Sequence, residues 1–235
     1  MSTDLTGTLV ALLTSMRQAE RDVFGELDPE VRDRPMRDGD WSPKDHQAHL
    51  TAWKARQANR YADARRGVES TELSEDSIQA INTEQQAARA DWDWDAISQE
   101  ADEVSENLIR EVSTMDPAAL AKSERLIQGT FGNGPLHAME HFGWLQQADI
   151  GADTDRMAAY LDEVTQIVER AELSDRDAAA AAYNVACFQA LAGRQNAARP
   201  LLRRAFQLDP QLATFAQKDT DLVTLRDELD ELIAG

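Results

Sequence analysis

An all-α fold is predicted by three features of the chain. Its prominent residues are good helix formers: alanine, leucine, glutamate, glutamine and arginine. Eleven glycines and seven prolines in 235 residues are too few for the many tight turns of a β-sandwich. Apolar residues recur three and four apart, the period of a helix with one buried face. Hydrophobic residues make up 42% of the chain, enough to fill a core for one large domain or a domain with an appendage.

Leu9, Leu12, Leu13, Met16 and Ala19, extended by Val23, predict a first helix over about 4–26, starting at Asp4 and stopped by Asp28-Pro29. A polar stretch with Pro35 and Gly39 leads to Trp41. The next helix has a clear start: Ser42 can cap it, Pro43 suits its first turn, and Asp45 completes a box-like pattern. It carries His49, Ala52, Trp53 and Tyr61 and ends before Gly67. A third helical region runs from near Ser74 through Ile78, Ile81 and Ala88, until Asp91-Trp92-Asp93-Trp94 interrupts it. A long helix then resumes through Ile97, Val104, Leu108, Ile109 and Val112 and stops at Asp116-Pro117. A short helical piece over about 118–125 and a loop over about 129–134 precede Pro135, which opens the helix bearing His137 and His141. Residues 151–154 look like a linker into an alanine-rich part with helices over about 155–171, 175–192 and 196–208. Asp209-Pro210 closes the last of these, and Leu222, Leu225, Leu229, Leu232 and Ile233 predict a final amphipathic helix. The expected organisation is one domain over 1–152 and a second over 153–235.

The net charge of −19 argues against DNA, whose binding needs a basic stripe, and against docking on an anionic membrane. One cysteine, Cys187, excludes an internal disulfide and any cysteine-cluster metal site, and it reads as a small buried hydrophobe. The first twenty residues lack the basic start and apolar run of a secretory signal, and no stretch approaches the roughly 18 apolar residues of a membrane span. The expectation is a cytoplasmic protein.

The histidines carry the chemistry. His137 and His141, four apart on one helix, point two imidazoles the same way, and His49 on another helix can supply a third. Three ligands would leave coordination positions open, as in metal sites that do chemistry. A divalent ion held by three neutral imidazoles keeps its charge and can polarise a carbonyl or lower the pKa of water towards about 7. A thiol in the same position would be bound as thiolate. Imidazole suits zinc or nickel. Residues 137–141 also match the H-x-x-E-H pattern of some metalloproteases, with Glu140 as base. That match is short, nothing downstream supplies the acidic ligand in a recognisable context, and His49 is available instead.

The region over about 1–150 resembles the DinB-like superfamily, in particular its ClbS/DfsB branch. The resemblance rests on Trp41-Ser42-Pro43-Lys44-Asp45, Ala48-His49-Leu50, Trp53, Ile81-Asn82 and the closing helix with His137 and His141. It implies an up-down four-helix bundle, commonly a homodimer, with a divalent metal held by His49, His137 and His141. His46 stands where the family usually has an aliphatic residue, and it reads as a solvated or outer group. Glu140 and Asn82 are further candidates for the surroundings of the metal, Asn82 either orienting substrate or satisfying a backbone group. Trp53 and Trp144 can wall the pocket or belong to the core. Relatives that are thiol-dependent transferases or toxin hydrolases imply a metal-dependent enzyme acting on a small reactive molecule, with a low-molecular-weight thiol as co-substrate. The other reading is a non-catalytic module that sequesters a ligand or scaffolds a partner. Beyond about residue 152 the chain resembles a tetratricopeptide-type hairpin, through Tyr183-Asn184, Ala186-Cys187, Ala190, Gly193, Ala198, Leu202, Ala205 and Pro210. One such repeat rarely stands alone, so it is expected to dock on the bundle or another subunit and to offer a surface for a protein partner.

Overall fold

Helix α1 (Leu5–Gly25) buries Leu9, Leu12, Leu13, Met16, Ala19 and Val23, the face its spacing predicts. The computed structural model describes residues 5–36, 41–68, 71, 73–171 and 173–234. Asp4 and Gly39 lie outside them. A short α2 (Pro29–Arg32) follows, capped by Asp28. Then come α3 (Pro43–Arg65), α4 (Glu75–Arg89), α5 (Trp94–Ser113), α6 (Pro117–Ala121), α7 (Glu124–Asn133) and α8 (Pro135–Gln147). The remainder forms α9 (Thr154–Arg170), α10 (Asp175–Leu191), α11 (Gln195–Leu208), α12 (Gln211–Ala216), a 3-10 helix (Thr220–Glu228) and α13 (Leu229–Ala234). The described residues contain no strand, and the protein is all-α.

Four helices close a ring. α1 packs against α5 and α8, and α3 packs against the same two. Polar residues knit the inside of this ring. Lys54 of α3 donates to both oxygens of Glu20 on α1, at 2.8 and 2.6 Å, and all of these groups are buried. Arg17 and Gln47 also donate to Glu20, and Arg17 reaches Asp102 of α5 at 2.7 Å. Burial pushes the Glu20 carboxyl up, but Lys54 and Arg17 together hold it below its ordinary value, so it is a carboxylate in the core.

The helices after Gly151 pack directly on the ring. α9 lies against α1 and α8, and α10 lies against α8, α9 and α11. The wholly buried Tyr160 of α9 donates to the Pro135 carbonyl at 3.3 Å and its ring meets Phe142 at 5.7 Å. Arg156 pairs with Asp22 of α1 at 2.7 Å. No helix among the described residues is long and apolar enough to cross a membrane.

Two local expectations are corrected. Residues 129–133, part of the loop expected over about 129–134, continue α7, and the helix ends at Gly134. A Cβ on Gly129 would sit 2.6 Å from the buried Gln57 side chain, so this glycine serves close packing of α7 on α3 rather than a turn. The last segment begins as 3-10 helix, not α-helix. Residues three apart eclipse in a 3-10 helix, which stacks the fully buried Leu222 and Leu225 on one line before α13 takes over at Leu229.

Candidate metal centre

The start of α3 is built by the box that the sequence announces. The Asp45 amide donates to Ser42 Oγ at 3.1 Å, and the Ser42 amide donates to Asp45 Oδ2 at 2.9 Å. Two orphan donors of the first turn are thereby satisfied, and the register of His46 and His49 is set. α8 starts abruptly. A Cβ at Gly134 would meet the Thr130 carbonyl at 2.6 Å and Leu13 at 3.1 Å, so glycine alone allows α7 to fold back into α8 here. His137 follows within the first turn and His141 within the second.

The two helices bring three imidazoles together. His49 Nε2 lies 3.1 Å from His137 Nε2, and His141 Nε2 lies 3.2 Å from the same atom. One ligand nitrogen from each of the three falls within 4.8 Å of the others. Two nitrogens bound to one ion at about 2.0–2.1 Å, at angles between right and tetrahedral, stand roughly 2.9–3.4 Å apart. The observed spacings fit that range. Each nitrogen must offer a lone pair, and each ring does. Burial and then the His137 and His46 rings push His49 down to about 3, and burial is the main cause of the fall of His137 to about 4. His141, wholly buried, is held well below the ordinary value by burial and by the other three rings. At neutral pH all three are uncharged donors, the form in which imidazole binds a metal.

His46, expected to be solvated or an outer group, is buried and touches the cluster directly. Its Nδ1 lies 2.7 Å from Nδ1 of His141. Tryptophans surround the four rings. Trp144 lies 4.5 Å from His141 and Trp41 lies 4.7 Å from His49, centroid to centroid. Trp53 lies 6.3 Å from His49 and 6.5 Å from His137. Trp41, whose place beside the site its sequence position alone does not reveal, is the wall nearest to His49.

Among the described residues Asn82 is hydrogen-bonded to neither a histidine nor a backbone group. Its Oδ1 accepts from the Trp53 indole at 3.0 Å, so it sets the angle of that wall. Glu140 faces away from the cluster. It lines a separate cleft between α8, α9 and α10, where burial and Asp221 push its carboxyl up, and no hydrogen bond joins it to a histidine among the described residues. Cys187 is buried, its Sγ lies 3.8 Å from Asp219 Oδ2, and burial and Asp219 raise its thiol above the ordinary value. Among protein-family models, curated proteins and solved structures, none matches this chain.

Proposed function

We propose that this protein is a metal-dependent enzyme that acts on a small reactive molecule, with His49, His137 and His141 as ligands of one divalent ion. The convergence of three neutral imidazole nitrogens at the spacing of a shared ion carries the reading. Zinc or nickel is the ion that such a ligand set suits. When bound, the ion supplies Lewis acidity at its open positions towards water, a low-molecular-weight thiol or a carbonyl.

The chain's own residues supply the rest. His46 fixes the tautomer of His141, leaving Nε2 as the lone pair that faces the cluster. Trp41, Trp53 and Trp144 wall the rings, and Asn82 orients Trp53. In the same proposal residues 1–152 form a DinB-like four-helix bundle and 153–235 a tetratricopeptide-like extension. The ring of α1, α3, α5 and α8 supports the first part, and the packed hairpin of α10 and α11 supports the second. The reaction is of thiol-transferase or hydrolase type, in detoxification or self-resistance. A homodimer and a protein partner at the C-terminal helices belong to the same reading.

Elemental analysis of the purified protein tests it. About one zinc or nickel per chain is expected, and His137→Ala should abolish it without unfolding the protein. Absence of metal, together with a melting temperature that neither ion changes, would overturn the proposal.

A further inference from the structure

Gly143 stands in the interior of α8, where glycine costs a helix about 1 kcal/mol relative to alanine. Its lack of a side chain serves no contact among the described residues, because a Cβ there would meet nothing within 4 Å. What it leaves open is a cleft of about 500 Å3 between α8, α9, α10 and the 3-10 helix. That volume falls in the usual range of small-molecule sites, roughly 300–1,000 Å3. Phe142 and Trp144 line it from α8, Met157 and Leu161 from α9, and Phe188 and Leu191 from α10. Trp144 and Leu191 are exposed, although both are large and apolar.

Two carboxylates line the same cleft, Glu140 of α8 and Asp221 of the 3-10 helix. Neither makes an ion pair or a side-chain hydrogen bond among the described residues. Burial and then Asp221 push the Glu140 carboxyl up, and burial and then Asp219 push that of Asp221 up, with no cation offsetting either. Arg226, on the same 3-10 helix, donates instead to the backbone carbonyls of Ala216, Gln217 and Asp219. Asp219 itself accepts from Tyr183 at 2.7 Å and has the Cys187 Sγ at 3.8 Å. Glu140 and Asp221 are therefore the acceptors left for a ligand, and a cation beside them would favour the ionised form of both. The aromatic rings of Phe142, Trp144 and Phe188 attract organic cations as well.

We propose that this cleft binds a small organic cation, an aromatic or alkyl amine in its protonated form, with the ammonium at Glu140 and Asp221 and the apolar body on Trp144, Phe188 and Leu191. An inorganic ion would use the carboxylates but leave the apolar walls uncovered. Occupancy requires no metal at the histidines. The two places do share Trp144, whose ring lies 4.5 Å from that of His141, so the ligand sits one indole away from the metal centre.

A ligand-observed NMR titration of the full-length, chelator-treated protein tests this with phenylbutylamine and with phenylbutanol, its neutral counterpart. The amine should bind about tenfold more tightly than the alcohol, and sodium chloride should weaken the amine alone. E140Q and D221N should each weaken the amine about threefold to fivefold and leave the alcohol unchanged. In the E140Q/D221N double variant the two compounds should bind alike. G143L puts a side chain into the open space and improves helix propensity, so it should keep the circular dichroism and melting temperature of the wild type while losing both compounds. Equal affinity of amine and alcohol in the wild type overturns the proposal, as does no amine binding at millimolar concentration. Amine selectivity that survives in the folded double variant does the same. Displacement of the amine from the His137→Ala protein by stoichiometric zinc or calcium would assign the carboxylates to an inorganic ion and would also overturn it.

Discussion

Nδ1 of His46 and Nδ1 of His141 lie 2.7 Å apart between two buried rings. At that distance one nitrogen must carry the proton and the other the lone pair. His141 turns its Nε2 towards His137, so a ligand role for that atom puts the His141 proton on Nδ1 and makes His46 the acceptor. A fixed tautomer is what an outer hydrogen bond gives a metal-bound imidazole.

Replacing His46 should therefore weaken metal binding without removing a ligand. His46→Phe keeps an aromatic ring but has no acceptor, and zinc affinity should fall about 10–100-fold. His46→Asn can still accept through its side-chain oxygen and should recover part of that loss. Competition with a chromophoric chelator measures both. Equal affinity in wild type and His46→Phe would remove His46 from the site.

The histidines also set a pH dependence. Their folded values, about 3 for His49 and about 4 for His137, lie below the unfolded value of about 6.5. Between those limits the unfolded chain binds more protons, so folding stability rises with pH there. The contribution is complete above about 6.5 and is lost as pH falls towards the folded values. Each such site adds a slope of up to about 1.4 kcal/mol per pH unit in that window. Urea midpoints of metal-free protein should drop steadily from pH 7 to pH 4.5, and His49→Gln should flatten the profile. A level profile in the wild type contradicts the assignment.

Much of this site was legible because it depends on local rules. The pair His137 and His141 follows from helical spacing, and the start of α3 follows from Ser42, Pro43 and Asp45. The place of His46 was not legible in the same way. It lies three residues before His49, and only the packing of α8 decides that its ring meets His141 rather than solvent. The end of α7 was expected as loop, and no property of residues 124–134 announces that Gln57, far away in sequence, packs against Gly129. Leu222 and Leu225 are spaced for either helix type, and the segment packs against α10 as the tighter one.

Gly129→Ala tests that close packing. The added methyl would meet Gln57, whose amide donates to the Leu126 carbonyl at 3.1 Å and to Thr130 at 3.2 Å and has little freedom to retreat. The clash should outweigh the better helix propensity of alanine and cost about 1–3 kcal/mol. Gly132→Ala, with nothing within 4 Å, should be neutral or stabilising. Urea unfolding of the two variants side by side makes the comparison, and equal stability would mean that Gln57 yields freely.

Lys54 and Glu20 make the most demanding case. Lys54→Met leaves the Glu20 carboxylate in the core with Arg17, at 3.2 Å, and Gln47, at 3.3 Å, to compensate it among the described residues. Breaking a buried pair from one side costs about 3–5 kcal/mol, and the remaining donors favour the lower end here. Replacing both members by apolar residues of similar size removes the stranded charge, so Glu20→Leu combined with Lys54→Met should recover most of the loss. A double-mutant cycle on urea unfolding measures the coupling. A small loss in Lys54→Met, below about 1 kcal/mol, would place the charge of Glu20 on Arg17 alone and reduce the lysine to a packing residue.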